Sequence, residues 1–280
     1  MSASRYRSDA AARPNPSGSA PARIGVVTPT LNAGAFLERT LRSIWDQRRD
    51  GLEIDHVIVD GGSTDDTAAV ASRFPSRFVV AEDERGMYEA INFGLRQVQG
   101  DIVGYMNGDD EVAPGAFDLI ARAFASHPRA GWLCGRVEYI DGDDRVLGRM
   151  RPVRMSARSF VGLGWSCVPQ QTVWARRAFF DRVGPFDTTY RAVGDYDWYV
   201  RAMTLTPPLI LRETLGRFRL HDRQISANVA KMQAESREVQ RRYGFTHRGD
   251  LVAGKLLSLR LNAANPAWLI AKKTGRISFG

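Results

Sequence analysis

Short apolar runs alternate with segments of helical periodicity from residue 23 onward. The runs IGVVT, HVIVD, RFVVA and DIVGYM have the length of buried strands. Between the first two, Leu37, Leu41 and Ile44 recur at helical spacing, and a third helix is expected over GMYEAINFGLRQVQ. Such alternation predicts βαβ units and an α/β fold around a mostly parallel sheet.

The region after residue 130 has a less regular pattern. WLCGRVEYI and RVLGRM predict a hairpin, and RFRLH predicts a further strand. Helices are expected near 176–183 and 195–204, followed by a long amphipathic stretch over 224–243. The second helix of the first half should be capped by Ser63 or Thr64.

The chain divides into three parts by composition. Residues 1–22 are polar and rich in Ala, Pro and Ser, so a disordered leader without a signal peptide is expected there. Residues 23–245 carry the α/β pattern, and residues 246–280 form a basic amphipathic tail divided by Pro266. No apolar run reaches the roughly 18 residues that a membrane-spanning helix requires.

The net charge is +8, and most of the excess follows Arg241, where Asp250 is the one acidic residue. A basic tail with leucines and Trp268 could contact an anionic bilayer through an interfacial Trp, or it could be a solvated helix packed on the domain. Cys134 and Cys167 are too few for a disulfide framework. A cytoplasmic protein, with possible peripheral contact with the membrane, is therefore expected.

Three polar clusters follow apolar runs, namely PTLN, DGGSTDD and NGDD. Because ligands of open α/β sheets bind outside the carboxyl ends of the strands, these clusters predict a site at one sheet edge. Neither G-x-G-x-x-G nor G-x-x-x-x-G-K-[ST] is present, so the Rossmann cofactor and P-loop interpretations lose their main support.

Asp109 and Asp110 are adjacent carboxylates whose charges repel. A divalent cation would relieve that repulsion and bridge to a diphosphate, whereas Asn-Gly-Asp-Asp is also good turn chemistry before a helix. Asp60 is similarly open to two interpretations. It could accept from the N–H edge of uracil, thymine or guanine, or it could organise the turn that enters the next helix.

The segment GDYDW opens a predicted helix. Asp195 and Asp197 are two positions apart on it, so one of them at most should face a site. Asp195 could cap the helix or act in the chemistry. Gln170 and Gln171 precede this segment, and His221 ends the strand that follows it.

Taken together, the chain resembles the inverting glycosyltransferases of family 2, which have the GT-A fold, a Rossmann-like three-layer sandwich. The resemblance rests on VVTPTLN, VIVDGGSTDDT, EDERGMYEAINFGLRQVQGDIVGYMNGDD and PQQTVWARRAFFDRVGPFDTTYRAVGDYDWYVR, in that order over roughly residues 23–225. It is strongest to bacterial enzymes that build surface polysaccharides and glycolipids. It implies a nucleoside-diphosphate sugar donor, a glycan or lipid-linked acceptor and a Mg²⁺ or Mn²⁺ cofactor.

The resemblance also implies roles for individual residues. Asp195 would be the general base and Asp110, Asp109 and His221 the metal ligands. The donor would contact Pro29, Thr30, Asn32, Asp60, Arg85, Asn107 and Asp109, and the acceptor side would include Gln170, Gln171 and Trp198. Two positions depart from the family pattern: Asn107 replaces the first Asp of D-x-D, and Leu31 replaces an aromatic that often stacks on the base.

Two other classes stay open at this stage. A sugar nucleotidyltransferase would share the carboxylate pair, although no glycine- and arginine-rich phosphate loop follows the first strand. A nucleic-acid-binding protein would use the basic ends, although no recognition motif is present. A UDP-sugar is the expected donor, with GDP- and dTDP-sugars next, and nucleic acid is not an expected partner.

Overall fold

The computed structural model describes residues 22–81, 86–222, 224, 228–244, 248–275 and 277. Its strands are β1 (Ala22–Thr30), β2 (Leu52–Asp60), β3 (Arg77–Val80), β4 (Ile102–Tyr105), β5 (Glu111–Val112), β6 (Trp132–Ile140), β7 (Val146–Met150), β8 (Trp174–Arg176) and β9 (Leu209–Arg219). Its helices are α1 (Gly34–Trp45), α2 (Thr67–Ala71), α3 (Met87–Gln97), α4 (Ala116–Ser126), α5 (Ala157–Leu163), α6 (Arg177–Val183), α7 (Gly194–Leu205), α8 (Val229–Arg242), α9 (Arg248–Ala264) and α10 (Pro266–Lys273).

The strands form one sheet in the order β3-β2-β1-β4-β8-β6-β9-β5, with β7 paired to β6. Strands β1 to β4 pair in parallel, as do β6 and β9, whereas β8 pairs antiparallel with both β4 and β6. The predicted hairpin is the antiparallel pair β6 and β7. Because β1, β2 and β4 run in parallel, their carboxyl ends share one edge.

Helices cover both faces of the sheet. On one face Val26 and Ile24 pack with Ile44 of α1 and with Phe117 of α4. On the other face Val27 packs with residues of α3 and α7, which include Ile91, Leu95, Tyr196 and Trp198. Burial on both sides explains why the parallel strands appear in the sequence as continuous apolar runs. The predicted three-layer α/β sandwich is confirmed.

Several local expectations are corrected. Helix α2 begins at Thr67 instead of after Ser63 or Thr64, and the Asp65 carboxylate accepts from the Thr67 N–H at 3.0 Å. Strand β9 is longer than the expected RFRLH segment, and β5 and β8 were not predicted. The amphipathic stretch expected over 224–243 forms α8 from Val229.

The tail residues of α9 and α10 pack on the body of the protein. Leu257, Leu261 and Trp268 are buried in the same core as Phe160 of α5. The backbones of Gly162 and Gly254 approach so closely that a Cβ atom on either glycine would collide with the other helix. Trp268 is buried and stacks on Trp165 at 6.5 Å, as in the interpretation of the tail as a helix packed on the domain.

Candidate active site

The three polar clusters meet at the carboxyl edge of the sheet. Thr30 pairs in register with Asp60, and the Thr30 hydroxyl donates to the Asp60 Oδ1 atom at 2.9 Å. Met106, directly after β4, donates its N–H to the Val27 carbonyl of β1 at 2.8 Å. The turns after β1, β2 and β4 are therefore neighbours, as the sequence predicts.

The Asp60 carboxylate organises the turn after β2. It is nearly fully buried and accepts from the N–H groups of Gly62 at 3.1 Å and Ser63 at 2.7 Å. Gly62 has φ 89°, in the left-handed region that glycine tolerates. The turn interpretation of Asp60 is thus observed, and a contact with a donor base stays a prediction.

Two exposed apolar side chains flank this turn. Leu31 follows β1 and is 64% exposed, and Val80, which pairs in register with Asp60, is 55% exposed. Asn32 joins the neighbouring loops, since its Oδ1 accepts from the Thr64 N–H at 2.9 Å. Pro29 lies within β1 beside Val59 of β2. Arg85 lies outside the described residues.

The NGDD turn presents its two carboxylates in opposite directions. Asp110 is fully buried, and its Oδ1 accepts from the Arg219 N–H at 3.0 Å while its Oδ2 accepts from Gln171 Nε2 at 2.8 Å. Burial, with the neighbouring Asp109 charge, raises the pKa of Asp110 well above its usual range. Protein donors thus contact both oxygens of the Asp110 carboxylate, and its role as a metal ligand stays a prediction.

Asp109 faces outward and meets His221. Its Oδ2 atom lies 2.9 Å from His221 Nε2, and the two side chains are 27% and 15% exposed. The His221 ring packs against Phe36 at 4.9 Å between centroids. A carboxylate oxygen and an imidazole nitrogen at this separation are a suitable donor set for a divalent cation.

This pair needs further ligands to complete a cation site. Among residues 22–81, 86–222 and the other described segments, no cluster of three or more His, Cys, Asp or Glu side chains could hold a metal. Asn107, two positions before Asp109, has a buried Oδ1 atom without a hydrogen-bond partner in the structure. The residues present fit a cation that completes its coordination with groups from outside the protein.

A buried arginine, Arg219, holds the NGDD turn from its buried side. The sequence analysis did not single out this residue. Arg219 is fully buried, donates from Nε to the Asp109 carbonyl at 3.0 Å and pairs with Glu111 and Asp144. Its own N–H donates to the Asp110 carboxylate, so one β9 residue holds the Asp109 backbone and the Asp110 side chain. The sequence contains a signal for it: Arg217 and Arg219 alternate along β9 and therefore share one side of the strand.

Asp195 lies at the start of α7. Burial raises the pKa of its carboxyl to about 6, against hydrogen bonds from the Tyr196 N–H at 2.8 Å and the Tyr88 hydroxyl at 3.3 Å. Asp197 points elsewhere and is buried with Arg201 at 2.9 Å and the Tyr243 hydroxyl at 2.8 Å. Asp197 is thus buried against protein partners while Asp195 is half-buried, and the contact of Asp195 with a ligand stays a prediction.

Asp195 and the NGDD turn approach the same buried ring. Burial raises the pKa of Tyr105 at the end of β4, and the charges of Tyr88, Asp195, Tyr199 and Asp110 raise it further. Tyr88, which donates to Asp195, stacks on Phe186, and the Tyr105 ring meets the same Phe186 ring edge-on at 5.5 Å, although 85 positions of sequence separate Asp195 from Asp110. The structure brings the two acidic motifs to one region.

The residues expected on the acceptor side contact protein groups in the structure, and their role toward an acceptor stays a prediction. Gln171 is buried against Asp110, and Gln170 donates to the Tyr105 carbonyl at 2.8 Å and accepts from Asn107 at 3.3 Å. Trp198 is fully buried, stacks on Phe180 and donates from Nε1 to the Gly184 carbonyl at 3.0 Å. The glutamines position the NGDD turn, and Trp198 is a core residue.

Comparison with known proteins agrees with this architecture. Residues 25–184 match the sequence model of Glycosyl transferase family 2. An uncharacterized glycosyltransferase of Mycobacterium tuberculosis is 30% identical over 202 residues, which cover 70% of this chain and 74% of that protein. A PGL/p-HBAD biosynthesis glycosyltransferase of Mycobacterium bovis is 29% identical over 195 residues, with 67% and 72% covered.

A solved structure shows the same fold. Glucosyl-3-phosphoglycerate synthase from Mycobacterium tuberculosis, in complex with Mn²⁺, UDP and phosphoglyceric acid, matches with a TM-score of 0.57 at 22% identity, over 81% of each chain. The fold is thus that of the GT-A transferases. With more than half of its length matched by the family model, the chain belongs to glycosyltransferase family 2.

Proposed function

We propose that the protein transfers a sugar from a nucleoside-diphosphate donor, a UDP-sugar foremost, to a hydroxyl group of a glycan or lipid-linked acceptor, with inversion at the anomeric carbon. Membership of glycosyltransferase family 2 favours a glycosyltransferase over the two alternatives, a nucleotidyltransferase and a nucleic-acid-binding protein. The relative in PGL/p-HBAD biosynthesis supports a role in cell-surface glycolipid or polysaccharide synthesis. The UDP-bound structural neighbour supports the donor class.

The observation that carries the proposal is the presence of two separate carboxylates with different environments at one site. Both are half-buried, but Asp109 lies beside His221, whereas the surroundings of Asp195 raise the pKa of its carboxyl to about 6. A carboxyl with that pKa is ionised at neutral pH and is a stronger base than an ordinary aspartate. We assign Asp195 as the general base that removes the proton of the acceptor hydroxyl.

We assign Asp109 and His221 to a divalent cation, Mn²⁺ or Mg²⁺. The bound cation would stabilise the negative charge of the departing nucleoside diphosphate. Arg219, Gln171 and Asn107 would hold the turn so that Asp109 keeps its outward direction. The Mn²⁺-containing neighbour supports a cation of this type.

We assign the donor base to the cleft between the exposed side chains of Leu31 and Val80. Asp60 lies at its floor, and Gly61 leaves the approach open because a Cβ atom there would touch only Leu31 and the Thr30 carbonyl. Leu31 would supply an apolar surface where family members often have an aromatic. Pro29, Thr30 and Asn32 would shape the same cleft.

The testing experiment is a donor panel. Purified protein with Mn²⁺ or Mg²⁺ is given UDP-, GDP- and dTDP-sugars with and without EDTA, and nucleoside diphosphate release is followed. Release from one donor class that EDTA abolishes is the expected result, and NMR of the product should show the opposite anomeric configuration to the donor. Pyrophosphate release, or retention of configuration, would overturn the proposal.

A further inference from the structure

Helix α9 has two apolar faces, although one is enough to pack it on the domain. Leu257 and Leu261 are buried against the core on its inner face. On its outer face Leu251, Val252, Leu256 and Leu259 are exposed, at 52% to 65% of their surface. An apolar face that remains in water on a folded domain indicates an interaction site.

The exposed residues form a continuous stripe. Positions 251, 255 and 259 are four apart, as are 252, 256 and 260, so they lie on one side of the helix. Ile270 of α10 is also exposed, at 62%. We refer to Leu251, Val252, Leu256, Leu259 and Ile270 as the outer stripe.

The charges beside the outer stripe have one sign. Lys255, Arg260 and Lys273 are exposed, and no acidic residue occurs after Asp250. Asp250 itself is paired with Arg158 of α5 on the inner side. Residues 251–273 therefore present leucines and cations without a carboxylate of their own.

A partly exposed aromatic side chain lies beside α10. Trp165 is 37% exposed and stacks on the buried Trp268, and the Lys272 ammonium lies 5.8 Å from the Trp165 ring. Tryptophan beside a basic group is favoured at the boundary between lipid headgroups and acyl chains. The exposed aromatic is thus Trp165, not the Trp268 that the sequence indicated.

We propose that the outer stripe, with its flanking cations, docks on the surface of an anionic lipid bilayer. Leucines enter the headgroup boundary while lysine and arginine meet lipid phosphates, as in interfacial helices. Within the described part of the chain, no helix is both long and apolar enough to cross a bilayer, so this contact lies on the surface.

A second copy of the chain is a poorer occupant for the stripe. Pairing two identical stripes would bring Lys255 and Arg260 of each copy close to the same groups of the other, and like charges repel at such a boundary. An anionic bilayer has the complementary charge. The proposal depends on α9 and α10 alone and holds whichever donor and acceptor the enzyme uses.

The test is flotation of the full-length protein with vesicles. Phosphatidylcholine vesicles with and without phosphatidylglycerol are compared at low and high salt. Wild type should float with the anionic vesicles and be released by salt, because surface attraction is screened. Equal binding to neutral and anionic vesicles, or no binding to either, would overturn the proposal.

Matched variants separate the apolar and charged contributions. Leu256→Ser/Leu259→Ser should lower the partition coefficient at least roughly tenfold, whereas Val146→Ser/Leu205→Ser, which changes exposed apolar residues elsewhere, should not. Lys255→Gln/Arg260→Gln should lower binding to anionic vesicles by roughly 20-fold, whereas Arg129→Gln/Arg212→Gln should change it little.

Two controls make the outcomes distinguishable. Thermal unfolding checks that each variant folds, since the substituted side chains are exposed and should leave the core intact. Light scattering reports the oligomeric state. If the leucine variant loses self-association while flotation is unchanged, the stripe is an interface between copies and the bilayer proposal is wrong.

Discussion

The Nε2 atom of His221 lies 2.9 Å from the Oδ2 atom of Asp109, across 112 positions of sequence. The pair forms because β9 runs back along the sheet to the turn after β4, and Arg219 ties that turn to β9. The neighbouring Asp110 carboxylate is turned inward by the same arginine. This division between an outward and an inward carboxylate leads to the first two predictions.

Asp109→Ala and His221→Ala should each weaken Mn²⁺ binding by at least roughly tenfold, since each removes one of two adjacent donors. Mn²⁺ affinity in the presence of UDP, measured by electron paramagnetic resonance, checks this. Asp222→Ala changes an exposed carboxylate beside His221 and serves as the control. Wild-type affinity in both variants would exclude this pair as the cation site.

Asp110→Asn should lower the stability of the folded protein. The variant loses a buried carboxylate that accepts from the Arg219 N–H and from Gln171, so the free energy of unfolding should fall by about 1–3 kcal/mol. Urea unfolding measures the change, with the exposed Asp46→Asn as control. Unchanged stability with abolished Mn²⁺ binding would show instead that Asp110 is a metal ligand.

Asp195→Asn should lower kcat by roughly 10²–10⁴-fold while donor binding is kept. The wild-type rate should rise with pH through an apparent pKa of about 6 and then level off, because the base acts in its ionised form. Turnover against pH and UDP titration by calorimetry measure the two parts. Asp181→Asn on α6 is the control, and full turnover in Asp195→Asn would remove the base assignment.

Tyr88→Phe should shift that pH profile. The Tyr88 hydroxyl donates to Asp195 and lowers the pKa of its carboxyl, so removing it should raise that pKa and move the acid limb to higher pH. The plateau rate should stay within about twofold of wild type. A shift toward lower pH, or no shift, would show that this hydrogen bond does not tune the base.

His56 should make stability depend on pH. It is buried between Thr28 and Ser76, and burial lowers the pKa of its imidazole from 6.5 to about 3. The unfolded chain binds a proton below pH 6.5 and the folded protein does not, so stability falls as pH decreases from 6.5 toward 3. This histidine should account for about 2 kcal/mol between pH 7 and pH 5.

Urea unfolding at pH 7 and pH 5 tests the role of His56. His56→Asn should be less stable at pH 7 but should lose less stability on acidification than wild type does. His127→Gln, on the exposed end of α4, should retain the wild-type pH dependence. If the His56 variant has the wild-type pH dependence too, the imidazole is not the titrating group.

The sequence predicts the first half of the fold well because each element there has one strong signal. Strands β1 and β2 are buried on both sides and read as continuous apolar runs, and α1 shows its buried positions at helical spacing. Strands β5 and β8 have two and three residues, too few to form a period. The place of β5 in the sheet is decided by its pairing with β9, and the place of β8 by its pairing with β6.

The sequence also predicts which segments form the site, but it does not predict which side chains face a ligand. Asp109 and Asp110 are chemically identical neighbours, and only Arg219 and Gln171 determine which one points inward. Trp198 lies on α7, where nearly every residue from Gly194 to Met203 is buried, so helical periodicity gives no indication of an outer face. The contacts of Gln170 and Gln171 with Tyr105 and Asp110 are likewise invisible in the sequence.

The contact between Gly162 and Gly254 determines how the enzyme would sit on a surface. Because the two helix backbones touch without intervening side chains, α9 has little freedom to tilt or slide against α5. If α9 binds a bilayer, the whole sheet would therefore keep a fixed orientation and a fixed distance relative to the membrane surface. A flexible linker would not impose such an orientation. Replacing Gly254 with a larger residue would therefore change the orientation of the cleft relative to the bilayer, while the residues that line the cleft stay the same.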